Sequence, residues 1–277
     1  GGGTANFLRA DGTWAAPAGG GGGATVVRGH IAGFLLSNDS ASPNAVLDVG
    51  SGMCADSTAA SWISTSATFY GSTAGAWVAG TGSAGAPVAK MGNGLTVAAS
   101  TWYHVFAIIK GGAADIYFDT SVTAANAPAG TTAYRRIGSF LTNASAQIVG
   151  FNEVIQGSQR YFYWAAVVTD YAATVGTSAR SLVTLSVPPG VVVAPLARVG
   201  TNGSSAAIFT SPFESDVAQG SAAANPGVDT VSSVTIDSLD GQVLANASGQ
   251  IGIRSGSGTA NFYVFTRGWI ENCGSGQ

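Results

Sequence analysis

Two histidines, His30 and His104, supply every imidazole in this chain, so a general base of that kind must be one of them. His104 lies in Trp102-Tyr103-His104-Val105-Phe106, which reads as a strand with the histidine packed across it. His30 follows Arg28 and has no carboxylate or nucleophile at a useful spacing. No Gly-x-Ser-x-Gly elbow opens a helix, which argues against Ser-His-Asp hydrolysis. Glycan cleavage needs two facing carboxyl groups. Among 14 carboxylates the closest clusters are Glu214-x-Asp216 and Asp237-x-x-Asp240-Gly241. Both read as turns whose side chains accept nearby backbone N–H groups, and the second lacks the ligand count and closing bidentate Glu of a calcium loop. Cys54 and Cys273 are too far apart for a zinc pattern and leave either one disulfide or two reduced thiols. The run Gly19 to Gly23 is not followed by Gly-Lys-Ser/Thr, so it is no phosphate loop. No catalytic residue, cofactor or metal is therefore expected. The aromatic residues are the better lead, because rings stack on the C–H faces of sugars. Trp62, Trp77, Tyr161, Phe162, Tyr163 and Trp164 are candidates, and Trp77, in a Gly/Ala stretch expected to be an exposed loop, is the chosen contact residue.

Strands must position these residues. The apolar, β-branched and aromatic stretches 102–110, 115–120, 136–141, 147–154 and 160–169 are bounded by Gly, Asn, Asp, Ser or Pro. So are 181–187, 191–199, 206–210, 231–237, 250–254 and 260–270. Gln250-Ile251-Gly252-Ile253-Arg254 alternates cleanly and puts both isoleucines on one face. No helix emerges. Short strands with regular turns predict an all-β, jelly-roll-like sandwich body. It divides into an arm and linker over 1–24, a sandwich over 25–157 and a second over 158–277, or remains one larger sandwich. The segments 71–85 and 219–229 read as low-complexity loops.

Composition narrows the function class. The 277 residues are 46 % hydrophobic and 9 % charged, against about 25 % charged in an ordinary globular chain. Ser, Thr, Asn, Gly and Ala must cover most of the surface, as in an extracellular β-scaffold or a subunit covered by partners. The net charge is -3 and no basic run exceeds Arg135-Arg136, so the field that draws nucleic acid is absent. No apolar run reaches the roughly 20 residues of a membrane span.

The N-terminal stretch is the most telling. Asp11-Gly12 is a turn pair between Phe7-Leu8 and Trp14, and the segment is too short to bury those side chains in itself. Phe7, Leu8, Asp11, Gly12 and Trp14 are therefore read as an oligomerising arm. The pattern Leu-Arg-x-Asp-Gly-Thr-Trp-x-x-Pro, opening a Gly-rich linker, resembles connectors in tail-fibre and minor-tail proteins of tailed bacteriophages. Five body segments extend the resemblance: Ile31 to Asp39, Trp102 to Phe106, Tyr134 to Ser139, Ser186 to Val191 and Thr266 to Ile270. It implies a fibre or spike subunit on the virion tail or another external appendage, a homotrimer attached to other tail, baseplate, collar or head proteins. Such a subunit meets a host-surface glycan or protein, binds no nucleic acid and inserts in no membrane. A polysaccharide-degrading fibre and a secreted bacterial adhesin are the competing readings.

Overall fold

A computed structural model describes residues 7–8, 14–15, 25–157, 159–176, 179–201, 207–214, 216, 229–231, 236–240, 243–255 and 260–272. The described residues are all-β and contain no helix. The largest sheet has twelve strands. One end runs through β12 (Thr131–Leu141), β10 (Trp102–Lys110), β11 (Ala113–Asp119), β9 (Val88–Met91) and β8 (Phe69–Ala76). It continues through β5 (Val46–Val49), β4 (Leu36–Asn38) and β13 (Phe151–Gln156) to β14 (Gln159–Val175), β21 (Ala260–Asn272), β16 (Ala194–Thr201) and β19 (Ile236–Ser238). Most neighbours are antiparallel, but β9 runs parallel to both β8 and β11.

This sheet folds over on itself, because its strands carry one strongly apolar face that water would otherwise meet. Trp102, on the second strand from one end, packs against Trp164 of β14 and Trp269 of β21, with ring centres 5.7 and 5.6 Å apart. Phe162 stacks on Trp269 at 4.6 Å from the directly paired position on β14. The three-stranded sheet of β3 (Ile31–Gly33), β6 (Gly52–Ala55) and β7 (Trp62–Thr65) contacts β10 and β11 through β7. A four-stranded sheet covers the other end: β15 (Ser181–Thr184), β20, β17 and β18, the last three spanning Gln250–Ser255, Ala207–Thr210 and Asp229–Val231. There Phe209 of β17 packs edge-on against Phe262 of β21 at 6.2 Å.

The two packed regions therefore share long strands. β14 and β21, of 17 and 13 residues, pass from one into the other as a single antiparallel ladder. Gly157, where the sequence placed a boundary, sits in the turn of the β13–β14 hairpin, and the hydrogen bonds run on across it. One continuous apolar core joins residues from both sides. Gly268 makes the crossing possible: a Cβ there would stand 1.7 Å from the Phe162 carbonyl oxygen, so only glycine lets the backbones approach this closely.

Strand boundaries follow the sequence closely where side chains are large. β10 spans the residues expected of it, and β20 and β21 begin where they should. The Gly/Ala stretch is different. Residues 71–76, expected as loop, belong to strand β8, because Gly71 lies under Phe118 with no room for a Cβ and the ladder to β5 continues through it. The segment 219–228 lies outside the described residues.

Candidate functional site

The residues that carry the sequence motifs come together in the interior. His104 and Ser139 face each other across β10 and β12, with His104 Nδ1 2.9 Å from Ser139 Oγ. The Arg136 guanidinium donates to the same Oγ at 3.1 Å and pairs with Glu271 of β21. A serine hydroxyl against an imidazole is the start of a nucleophile–base pair, but both residues are fully enclosed. Burial, reinforced by the charge of Arg136, pushes the His104 pKa down to about 3. It is a neutral core histidine, as its strand context indicates. One layer away, Arg160 of β14 pairs with Glu153 of β13 at 2.7 Å and donates to the carbonyls of Gly33, Phe34 and Ile137. Burial holds the Glu153 carboxyl above the usual carboxylate range, against the pull of Arg160.

The segment 186–191 is equally inward. Val187 and Val191 are buried, and the Ser186 carbonyl accepts the Trp164 indole N–H at 3.0 Å. Cys54 is buried, with its thiol pushed up to about 12 by desolvation, while Cys273 lies outside the described residues. Among the described residues no three His, Cys, Asp or Glu side chains gather as a metal site. Asp216 is tied to Arg254 at 2.7 Å and accepts the Arg180 N–H, and Asp240 pairs with Arg267. The side chain of Asp237 lies outside the described residues.

The other concentration of charge borders solvent. A cleft of about 720 Å³ is lined by Trp77, Lys110, Asp115 and the small residues Gly80, Gly111 and Gly130, among others. That volume falls within the roughly 300–1,000 Å³ typical of small-molecule sites. The two-residue turn Gly111-Gly112 joins β10 to β11 with positive φ at both positions, as a tight hairpin of right-twisted strands requires, and leaves this wall without side chains. Trp77 is half-buried rather than the exposed loop residue expected. Its indole N–H donates to the Ile116 carbonyl at 2.8 Å, and its ring packs on the small cluster of Phe106, Ile108 and Tyr117.

The chain has only two lysines, and both ammonium groups lie over this ring. Lys90 Nζ is 5.4 Å from its centre and Lys110 Nζ 5.3 Å. Lys90 is wholly buried and uses all three of its donors: on Asp115 at 2.5 Å, on the Gly80 carbonyl at 2.7 Å and on the Val78 carbonyl at 2.9 Å. Burial lowers its pKa, and Asp115 opposes that shift. Lys110 differs: it is half-buried, donates to the Ala129 carbonyl, and has no carboxylate within ion-pair distance among the described residues. The sequence search missed both lysines. Their rarity was the available signal.

The remaining predicted aromatics divide by strand alternation. Phe162 and Trp164 point into the core, and Tyr161 and Tyr163 stack on each other at 6.4 Å on the opposite face. Trp62 meets His30 edge-on at 5.2 Å.

In the arm, β1 (Phe7–Leu8) pairs antiparallel with β2 (Trp14–Ala15), setting Leu8 opposite Trp14 and Phe7 opposite Ala15. Asp11 and Gly12 lie outside the described residues. Compared with protein-family models, with curated proteins and with solved structures, the chain matches none of them.

Proposed function

We propose that this chain is a structural protein of a tailed-phage virion, a homotrimeric fibre or spike subunit that attaches the particle to the host surface. The observation that carries the reading is the arm. A hairpin this small is marginal in water, yet it pairs Leu8 with Trp14 and is followed by the Gly19 to Gly23 linker. Such a device gains stability only by packing on neighbouring copies or on the particle. The motif resemblance and the low surface charge support the same assignment, and the function is adhesive rather than catalytic.

Light scattering on the purified chain tests assembly: three times 27.5 kDa is expected, and a monomer mass overturns the trimer. Trp14→Ala is expected to weaken assembly, since truncating a well-packed Trp costs about 3–5 kcal/mol, while the body stays folded. Labelling intact particles with an antibody against the body tests location, and unlabelled particles overturn the virion assignment. Host capsule or lipopolysaccharide incubated with the protein is expected to release no reducing ends. Release that disappears in Glu214→Ala or Asp237→Ala would instead make it a depolymerase.

A further inference from the structure

We propose that the cleft beside Trp77 binds one acidic sugar residue, with the sugar carboxylate held by Lys110 and the sugar ring lying along the bare backbone of Gly80, Gly111 and Gly130. The proposal rests on the attachment reading, in which the host surface is met through its glycans, and it names the chemistry of that contact. Shape is the first support: the cleft has the volume of a small-ligand site, and three of its lining residues are glycines that leave backbone bare. A fixed cation is the second, since Trp77, held by its bond to Ile116, lines the cleft and carries the Lys110 ammonium over its ring.

Charge decides the class. Lys90 and Asp115 neutralise each other at the base of the site, and every donor of Lys90 is already used. Among the described residues Lys110 is left as the one uncompensated charge lining the cleft, on a protein whose net charge is -3. With one backbone acceptor taken, its ammonium has donors to spare for a carboxylate. A neutral sugar leaves that cation unpaired, and a polyanion exceeds what a single lysine balances. A uronic-acid-type residue, a single ring carrying one carboxylate, fits both the one cation and the size of the cleft.

The test uses the full chain with D-glucuronate and D-glucose as probes, followed by saturation-transfer NMR and calorimetry at low salt. Glucuronate is expected to bind about tenfold more tightly than glucose, and Lys110→Gln to remove that preference. Lys110→Arg keeps the charge and is expected to keep the preference, which separates loss of charge from loss of fold. Equal affinity for the two sugars, no transfer to either, or an unchanged preference in Lys110→Gln overturns the site. Inorganic phosphate competing as well as glucuronate also overturns it, because the cleft would then hold any small anion. The antibody labelling of particles is independent of these outcomes. Labelled particles without sugar binding defeat the site alone, and sugar binding by a protein absent from the particle defeats the attachment reading alone.

Discussion

Charge is scarce in this chain, and two regions of the fold use it in opposite ways. In the interior, Arg136 with Glu271 joins strands that are distant in sequence, and Arg160, paired with Glu153 of its own hairpin, reaches the distant carbonyls of Gly33, Phe34 and Ile137. At the Trp77 cleft, Lys90 and Asp115 form a comparable sealed pair, but a second lysine stands above it with its charge uncompensated. The interior pairs hold a sheet folded on itself in register. The cleft keeps a cation where solvent, or a ligand, can meet it. A buried ion pair contributes little net stability over an apolar substitute but penalises every arrangement that separates its members.

The largest effect expected follows from breaking such a pair. Arg136→Met removes the ion-pair partner of the buried Glu271 and is expected to cost about 3–5 kcal/mol in denaturant unfolding. Replacing both, Arg136→Met with Glu271→Met, is expected to recover much of that loss. If the single variant unfolds like the wild type, the interior charges are not locks and the contrast with the cleft disappears.

Acid is expected to act next, through His104. Its folded pKa of about 3 lies below the unfolded value near 6.5, so the unfolded chain binds the extra proton between those limits. His104 stability is therefore fully present above pH 6.5 and is lost as pH falls, by about 3 kcal/mol at pH 4. Asp48, lifted to about 6 by burial and by Asp39, slopes the other way, as does Glu153. Subtracting the unfolding profile of His104→Gln from that of the wild type isolates the histidine. A difference flat from pH 7 to 4 would mean that the ring is protonated without cost inside the sheet.

The same contrast explains what could be read from the sequence. The aromatic and β-branched segments showed themselves as strands, because their side chains need a pleated, half-buried surface whatever their partners are. Every body motif behind the phage resemblance then lies in or against the interior: Gly33 and Phe34 under Arg160, His104 beside Ser139, Val187 in the core, Trp269 on Phe162. Those motifs mark how the fold is held, not what it touches. The pairing of Arg136 with Glu271 spans most of the body and follows from the sheet folding over, which no local pattern encodes. The cleft was harder still. Gly80, Gly111 and Gly130 line it by having no side chains, and Gly71 to Ala76, the start of the stretch that reads as a loop, becomes strand once Phe118 closes over Gly71. Trp77 was selected for its chemistry; its half-burial and its two lysines required three dimensions.

At the cleft wall, smaller effects are expected. Trp77→Phe keeps a ring against Phe106 and Tyr117 but removes the N–H that bonds the Ile116 carbonyl, and a cost of about 1 kcal/mol is expected. A cost above about 3 kcal/mol would make Trp77 a core residue whose contact with solvent is incidental.

The smallest stability change, and the sharpest separation of the two uses of charge, is expected at the lysines themselves. Lys110→Gln removes a half-exposed cation bound to one carbonyl and one ring face, so its unfolding free energy is expected within about 0.5 kcal/mol of the wild type. Reactivity reads the contrast directly. An amine reagent needs both access and a free electron pair on nitrogen. Lys110 borders the cleft, whereas Lys90 is 0 % exposed with each hydrogen bonded to an acceptor. Brief labelling of the folded protein, followed by peptide mass mapping, is therefore expected to modify Lys110 and leave Lys90 unmodified until denaturant is added. Comparable labelling of the two in the folded state would show that the Lys90–Asp115 pair opens to solvent. The cleft would then contain two reactive cations, and its distinction from the interior locks would be lost.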